Sequence, residues 1–367
     1  MNRIISVLVI LLGLGLFRPA QAAGLIEEDI SLPATFKGTT VALEALVVRP
    51  DDGRRHPLVV ISHGAPRKPE DRIGMHARGQ LSKAREFARR GWVAVAVMRR
   101  GYGNSEGEYA ESSGRCDSPD YEKSGRTGAE DIRQTIALMA GKPYVDASKV
   151  LAVGQSAGGL ATVALTADPP PGLMAAISFA GGRGSAKPDQ VCAEARLVEA
   201  FRAFGRTSRV PMLWVYTQND HFFGPSLAKR FHGAFTEAGG RAQFIAAPEF
   251  GTDGHYLFST KGAPLWTRYV EQFLAAQGLT QFERPLPPRD ESAIAYPRGL
   301  TKNGHDAFVK YLDGATHKAF VMSSTGAFGW RTGRKDSEEA VREATEFCAA
   351  HSKKPCYAVM IDDDAVQ

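Results

Sequence analysis

Between residues 38 and 277, short continuous apolar runs alternate with longer stretches of helical periodicity, and this alternation leaves few architectures open. Runs such as Leu58–Ile61, Trp92–Val97, Val150–Val153 and Pro211–Tyr216 carry no polar face, so they predict strands covered on both sides. Thr40–Val48, Met174–Phe179 and Ala242–Ile245 complete the set. Helical patterns lie between them at Gly79–Arg90, Ala129–Ala140, Ser156–Ala167, Ser226–Ala238 and Pro264–Ala276. Strand and helix in this order predict an α/β fold, a mainly parallel sheet with helices on both faces.

The amino terminus is different in kind. Arg3 precedes an apolar run from Ile4 to Phe17, and Ala20-Gln21-Ala22 supplies the small residues at which a signal peptidase cuts. The run is shorter than the roughly 20 apolar residues of a membrane-spanning helix. Residues 1–22 therefore read as a signal peptide, and no later segment reads as a membrane span. Arg3 and Arg18 leave with this leader, taking the formal charge from +5 to +3. Acids and bases are interspersed without a basic stripe, which argues against a nucleic-acid partner.

Export makes the four cysteines informative, because disulfides persist outside the reducing cytoplasm. Proximity favours Cys348 with Cys356, which leaves Cys116 with Cys192 to clasp two loops together. No Cys-x-x-Cys or His-x-x-x-His spacing suggests a metal. Those two loops, residues 101–127 and 183–209, are longer than turns, and long connections in a compact domain commonly carry function.

Proline-rich residues 278–298 read as an extended linker between a first domain, residues 23–277, and a small α+β module over residues 299–367. Within the module the pattern predicts helices at His305–Leu312 and Ser337–Ala350, an apolar run at His317–Met322, a turn-rich Gly326–Gly333 and a final strand at Tyr357–Ile361.

Gly154-Gln155-Ser156-Ala157-Gly158 sits directly after the run Val150–Val153 and directly before a helical pattern. A serine on such a strand-to-helix turn projects its hydroxyl away from the sheet, and the flanking glycines relieve the crowding. The pentapeptide alone is a weak signal; its placement makes Ser156 the candidate nucleophile. A serine hydroxyl needs a base, and the base needs a group to fix its tautomer. Downstream, Asp220 follows the strand ending at Tyr216, and His255 follows the next strand in Gly251-Thr252-Asp253-Gly254-His255. Asp253 is the rival acid, but it reads as a turn former beside Gly254. His221 and His232 read as structural or exposed.

A tetrahedral intermediate also needs backbone donors for its oxyanion. Candidates are the amides of Ala157, next to Ser156, and of Ala65 in Ser62-His63-Gly64-Ala65-Pro66. His63 reads as a brace for that loop, with a place in the pocket as the alternative. Tyr102, Phe222 and Phe223 are candidate pocket residues, nearly as consistent with a core. The glycines of Arg100–Gly107 open no helix and precede no lysine, which excludes a nucleotide loop.

On these motifs, residues 38–277 resemble the α/β-hydrolase superfamily, and more closely its dienelactone hydrolase and prolyl oligopeptidase-like branch. Dienelactone hydrolases proper use cysteine where this sequence has Ser156. The resemblance implies hydrolysis of a small-molecule ester, or less often a peptide or amide, through an acyl-enzyme and without a metal or organic cofactor. A peptidase of that branch usually carries an amino-terminal propeller, for which residues 23–38 leave no room. A non-catalytic binding protein on the same fold is the other alternative, since fold alone does not establish activity.

Overall fold

The computed structural model describes residues 24–288, 294–315, 317–362 and 364–366. Residues 1–22, expected as a signal peptide, lie outside these, as do residues 289–293 of the expected linker. Among the described residues no helix is long and apolar enough to cross a membrane.

In chain order the main body comprises β1 (Leu25–Phe36), β2 (Thr39–Pro50), β3 (His56–Ser62), α1 (Leu81–Ala88), β4 (Val93–Val97), α2 (Tyr121–Ala140), β5 (Val145–Gln155) and α3 (Ala157–Ala167). It continues with β6 (Leu173–Phe179), a small hairpin of β7 (Ser185–Lys187) and β8 (Gln190–Val191), then α4 (Glu194–Gly205), β9 (Met212–Thr217), α5 (Pro225–Glu237), β10 (Ala242–Ala247) and α6 (Ala263–Ala276). Eight strands form one sheet in the order β1-β2-β4-β3-β5-β6-β9-β10. Pairing is antiparallel through β1, β2 and β4, and parallel from β4 onward.

Burial explains the strand signal. Every residue of β3, β4 and β9 is buried, because α2 to α5 cover one face of the sheet and α1 with α6 cover the other. Trp214 and Phe201 belong to the first core, Trp92, Phe87 and Trp266 to the second. Parallel strands deliver their carboxyl ends to one rim, so the residues following β3, β5, β6, β9 and β10 meet there.

β1, α2 and α4 depart from the sequence expectation. β1 was not anticipated, since Glu27, Glu28, Asp29 and Pro33 argue against a buried strand. It is an edge strand, where proline is tolerated and acids find partners: Arg85 pairs with Glu27 at 2.6 Å and Arg78 with Asp29 at 2.7 Å. α2 begins at Tyr121 rather than Ala129, capped by Asp120, which accepts from Lys123 N at 2.9 Å. Its glycines are packing sites: a Cβ on Gly125 would stand 2.9 Å from the Phe204 ring, one on Gly128 2.9 Å from Ala161 Cβ. The connection 183–209 contains α4, whose Leu197, Ala200, Phe201 and Phe204 are buried at helical spacing.

The carboxy-terminal part holds α7 (Lys302–Leu312), β11 (Ala319–Ser323), β12 (Phe328–Arg331), α8 (Ser337–Ala350), β13 (Cys356–Ile361) and β14 (Asp364–Ala365). Its four strands form a separate antiparallel sheet, β12-β11-β13-β14. β12 occupies the stretch expected as turn-rich; Gly329 there is forced by packing, because a Cβ would lie 2.2 Å from Ala344 O on α8. Cys348 and Cys356 are bridged, tying the end of α8 to β13. Arg85 on α1 reaches Asp313 at 2.9 Å, linking the two parts.

Candidate active site

β5 ends at Gln155 and α3 begins at Ala157, so Ser156 alone makes the turn, at φ 55° and ψ −121°. A residue other than glycine in this region carries strain of about 1–3 kcal/mol, which the surroundings must overcome. They do so by close backbone packing. A Cβ on Gly154 would lie 2.1 Å from Gly158 O, and one on Gly158 2.2 Å from Ser62 O. Glycine at 154 lets α3 start this close to β5, and glycine at 158 lets it start this close to β3.

Asp220 follows β9, is buried, and accepts from Phe222 N at 2.7 Å and Phe223 N at 2.9 Å through Oδ1. His255 sits in a helical turn after β10, with Nδ1 3.2 Å from each Asp220 carboxylate oxygen. Nδ1 therefore carries the proton, which leaves the Nε2 lone pair for another donor. Asp253 instead accepts from His255 N at 3.0 Å and His221 N at 3.2 Å, capping the turn as expected of a turn former. His221 lies on the surface against Asp189, and His232 bonds Ala242 O.

Ser156 and Ala157 line a cavity of about 290 Å³, with Ala65, Phe222 and Phe223 among the other walls. The loop after β3 abuts the serine: a methyl on Gly64 would stand 3.1 Å from Ser156 Cβ and 3.7 Å from its Oγ. Among the described residues Ser156 Oγ makes no hydrogen bond, and none joins it to His255. Catalytic hydrogen bonds often tighten only when substrate is bound.

Neither Tyr102, a candidate pocket residue, nor His63, read as a loop brace with the pocket as the alternative, lines the cavity. Tyr102 is fully buried, its hydroxyl donating to Glu111 Oε1 at 2.6 Å. Edge-on to it, 4.5 Å between centroids, lies His63. His63 Nε2 accepts from Arg99 N at 3.1 Å, so Nδ1 donates to Gly64 O at 2.7 Å. Burial, then the Arg99 charge, push this imidazole down to about 3. It is the loop brace.

Sequence reasoning missed the ionic network behind this wall. Glu111 is buried and accepts from Arg99 Nε at 2.6 Å and Arg99 Nη2 at 3.0 Å, and from Arg183 Nη1 at 2.9 Å. Burial alone would raise this carboxyl, but Arg99 and then Arg183 outweigh it and hold it well below the usual carboxylate range. Arg183 also donates to Tyr109 Oη and lines the cavity. No motif announces such a network; its members come from separate loops.

A second omission is Gln155, the variable residue of the glycine motif. Its Nε2 donates to His255 O at 2.9 Å, while its Oε1 accepts from Lys83 Nζ at 3.2 Å. Burial lowers the Lys83 amine to about 8.

Cys116 and Cys192 are bridged, with Cα atoms 4.9 Å apart, so the two long loops do meet. Ser112, Ser113 and Gly114 from one loop and Arg183, Gly184 and Ser185 from the other form the cavity rim.

Residues 37–206 match the X-Pro dipeptidyl-peptidase (S15) family, a segment that includes Ser156 and ends before Asp220 and His255. No curated protein matches the chain in sequence. Among solved structures, an acylaminoacyl peptidase from Pyrococcus horikoshii superposes with TM-score 0.50 at 18% identity, over 75% of this chain and 44% of that one. The Pyrococcus furiosus esterase Pf2001 gives TM-score 0.48 at 13% identity, over 69% of this chain and 90% of the esterase.

Proposed function

We propose that this chain, a member of the α/β-hydrolase superfamily, is an exported serine hydrolase that cleaves a carboxylic ester through an acyl-enzyme on Ser156. The observation that carries the reading is Ser156 held at positive φ on the rim of a cavity, with the paired His255 and Asp220 on the adjoining strand ends. In this mechanism the Ser156 hydroxyl attacks the ester carbonyl while His255 Nε2 takes its proton. Asp220 stabilises the imidazolium, and the amides of Ala157 and Ala65 receive the oxyanion. The imidazolium then protonates the leaving alcohol, and water repeats the sequence to release the acid.

Export is supported by the leader pattern of residues 1–22 and by two disulfides, which a reducing cytoplasm would not maintain. Residues 23–277 then form the catalytic domain, residues 278–298 the linker and residues 299–367 the appended module.

The match to the dipeptidyl-peptidase family favours a second reading, a serine peptidase. Against it stands the cavity wall, which among the described residues presents Arg67, Arg72 and Arg183 and no carboxylate. A peptide entering by its free amino terminus would bring an ammonium against three guanidinium groups.

Hydrolysis of p-nitrophenyl esters from acetate to laurate, with Ser156→Ala purified in parallel, tests the proposal. Turnover abolished by the substitution supports an esterase at Ser156. Equal rates in both proteins overturn it, and turnover of aminoacyl-prolyl amides alone favours the peptidase.

A further inference from the structure

Lys83 on α1 is buried, yet among the described residues no carboxylate pairs with it. Its ammonium has neutral partners instead: Nζ donates to Gln80 Oε1 at 2.7 Å and to Gln155 Oε1 at 3.2 Å. Burial lowers the amine to about 8, so at neutral pH it is still charged. A charge is costly to bury without a counter-ion, and the reaction steps so far leave this one without a task.

Its geometry supplies one. An ammonium donates and never accepts, whereas a glutamine amide has an accepting oxygen and a donating nitrogen. With Oε1 turned to Lys83, the Gln155 Nε2 faces the other way, where it donates to His255 O at 2.9 Å. The flipped amide would set N–H against ammonium and oxygen against carbonyl, so Lys83 permits one orientation. Gln155 ends β5 and immediately precedes Ser156. The chain Lys83–Gln155–His255 therefore ties the turn that carries the histidine to the strand that carries the serine. Asp253 accepts from His255 N and Asp220 from its Nδ1, so the residue is held at its amide, its carbonyl and its ring. Lys83 Nζ also stands 4.9 Å from the ring centre of Phe258, just beyond the same turn.

We infer that Gln155, oriented by Lys83, is a positioning residue that fixes the height of His255 relative to Ser156. The inference rests on Ser156 being the nucleophile and His255 its base, and adds to that reading the side chain that keeps the two in register. Neither Lys83 nor Gln155 lines the cavity beside Ser156, so their effect falls on the chemical step and not on substrate binding.

Steady-state hydrolysis of p-nitrophenyl butyrate, the maximal rate of labelling by a fluorophosphonate, and urea midpoints test it together. Gln155→Met removes both bonds. Gln155→Glu keeps an acceptor for Lys83 but turns a second acceptor on the His255 carbonyl. Both should lower kcat and the labelling rate by about tenfold to a hundredfold, with KM unchanged within about twofold. Because Gln155→Glu gives Lys83 a counter-ion, its urea midpoint should exceed that of Gln155→Met while its kcat is as low, a split that a purely structural role would not produce. Lys83→Met frees the amide to turn and should lower kcat by a smaller factor. Adding it to Gln155→Met should cost nothing further, since the two act in one chain.

A native kcat and labelling rate in Gln155→Glu, or a loss carried by KM, overturns the inference and leaves the serine-hydrolase reading standing. Independent, multiplying losses in the double variant overturn the part assigned to Lys83. A native protein that neither turns over the ester nor reacts at Ser156 overturns both readings.

Discussion

The ring of Phe222 stacks on the imidazole of His255, 3.8 Å between centroids and 13° from parallel. Both are tied to one carboxylate, since Asp220 accepts from the Phe222 amide and from His255 Nδ1. A single buried acid thus sets the tautomer of the histidine and places the aromatic wall that limits its movement. Phe222→Ala leaves the Asp220 bond intact and removes the wall against His255, along with the ring beneath Arg67 at the cavity. The expected result is a fall in kcat of about tenfold to a hundredfold, the range for misplacing a catalytic group by a fraction of an ångström. Phe222→Tyr, which keeps the stack, should retain most of the rate.

Asp220 and Asp253 both touch the His255 turn, but at different atoms. Asp220→Asn can hold His255 only in the wrong tautomer, so kcat should drop by a factor on the order of 10⁴. Asp253→Asn keeps an acceptor for the His255 amide and should cost less than about 2 kcal/mol of stability, as loss of a cap does. Esterase kinetics and urea unfolding of the two variants separate these effects.

The Cys116–Cys192 bridge closes a chain separation of 76 residues and joins the loops that form the cavity rim. A Cys116→Ser/Cys192→Ser protein should lose about 2–4 kcal/mol of stability, because its unfolded chain is freer. KM should rise more than kcat falls, since the rim binds substrate and the bridge touches neither Ser156 nor His255. Urea midpoints and steady-state kinetics on the double variant check both statements.

Acid should unfold this protein early. His63 has a folded value of about 3 against an ordinary 6.5, so below 6.5 the unfolded chain binds a proton that the folded one refuses. Glu111 acts with the same sign: its folded carboxyl lies below the ordinary 4.5, and its contribution is lost as pH falls through that region. Stability from His63 is complete above pH 6.5 and should decline toward pH 3 by on the order of 1.4 kcal/mol per pH unit. Urea midpoints between pH 7 and 4 measure this, and His63→Gln should flatten the upper part of the slope.

The sheet and the candidate site differ in how far the sequence discloses them. Strands buried on both faces, such as Leu58–Ile61 and Trp92–Val97, read directly because burial requires apolar residues throughout. Ser156, Asp220 and His255 are legible as candidates because strand ends confine where such residues can serve. β1 was hidden by acids whose partners, Arg78 and Arg85, lie about 50 residues away. α2 was shortened because glycine at positions 125 and 128 reads as loop until Phe204 and Ala161 are seen against it. Tyr102 was misplaced for a related reason: an aromatic beside a long loop looks like a pocket wall, and only Glu111 identifies it as core. The arginine wall was equally invisible, since charge within a cavity depends on which loops fold back together.

Labelling with a fluorophosphonate, followed by peptide mass mapping, tests the central claim most directly. The account predicts one adduct, on the peptide containing Ser156, formed by the native protein, slowed in Asp220→Asn and absent from Ser156→Ala. An unlabelled native protein, or an adduct that persists in Ser156→Ala, would contradict it.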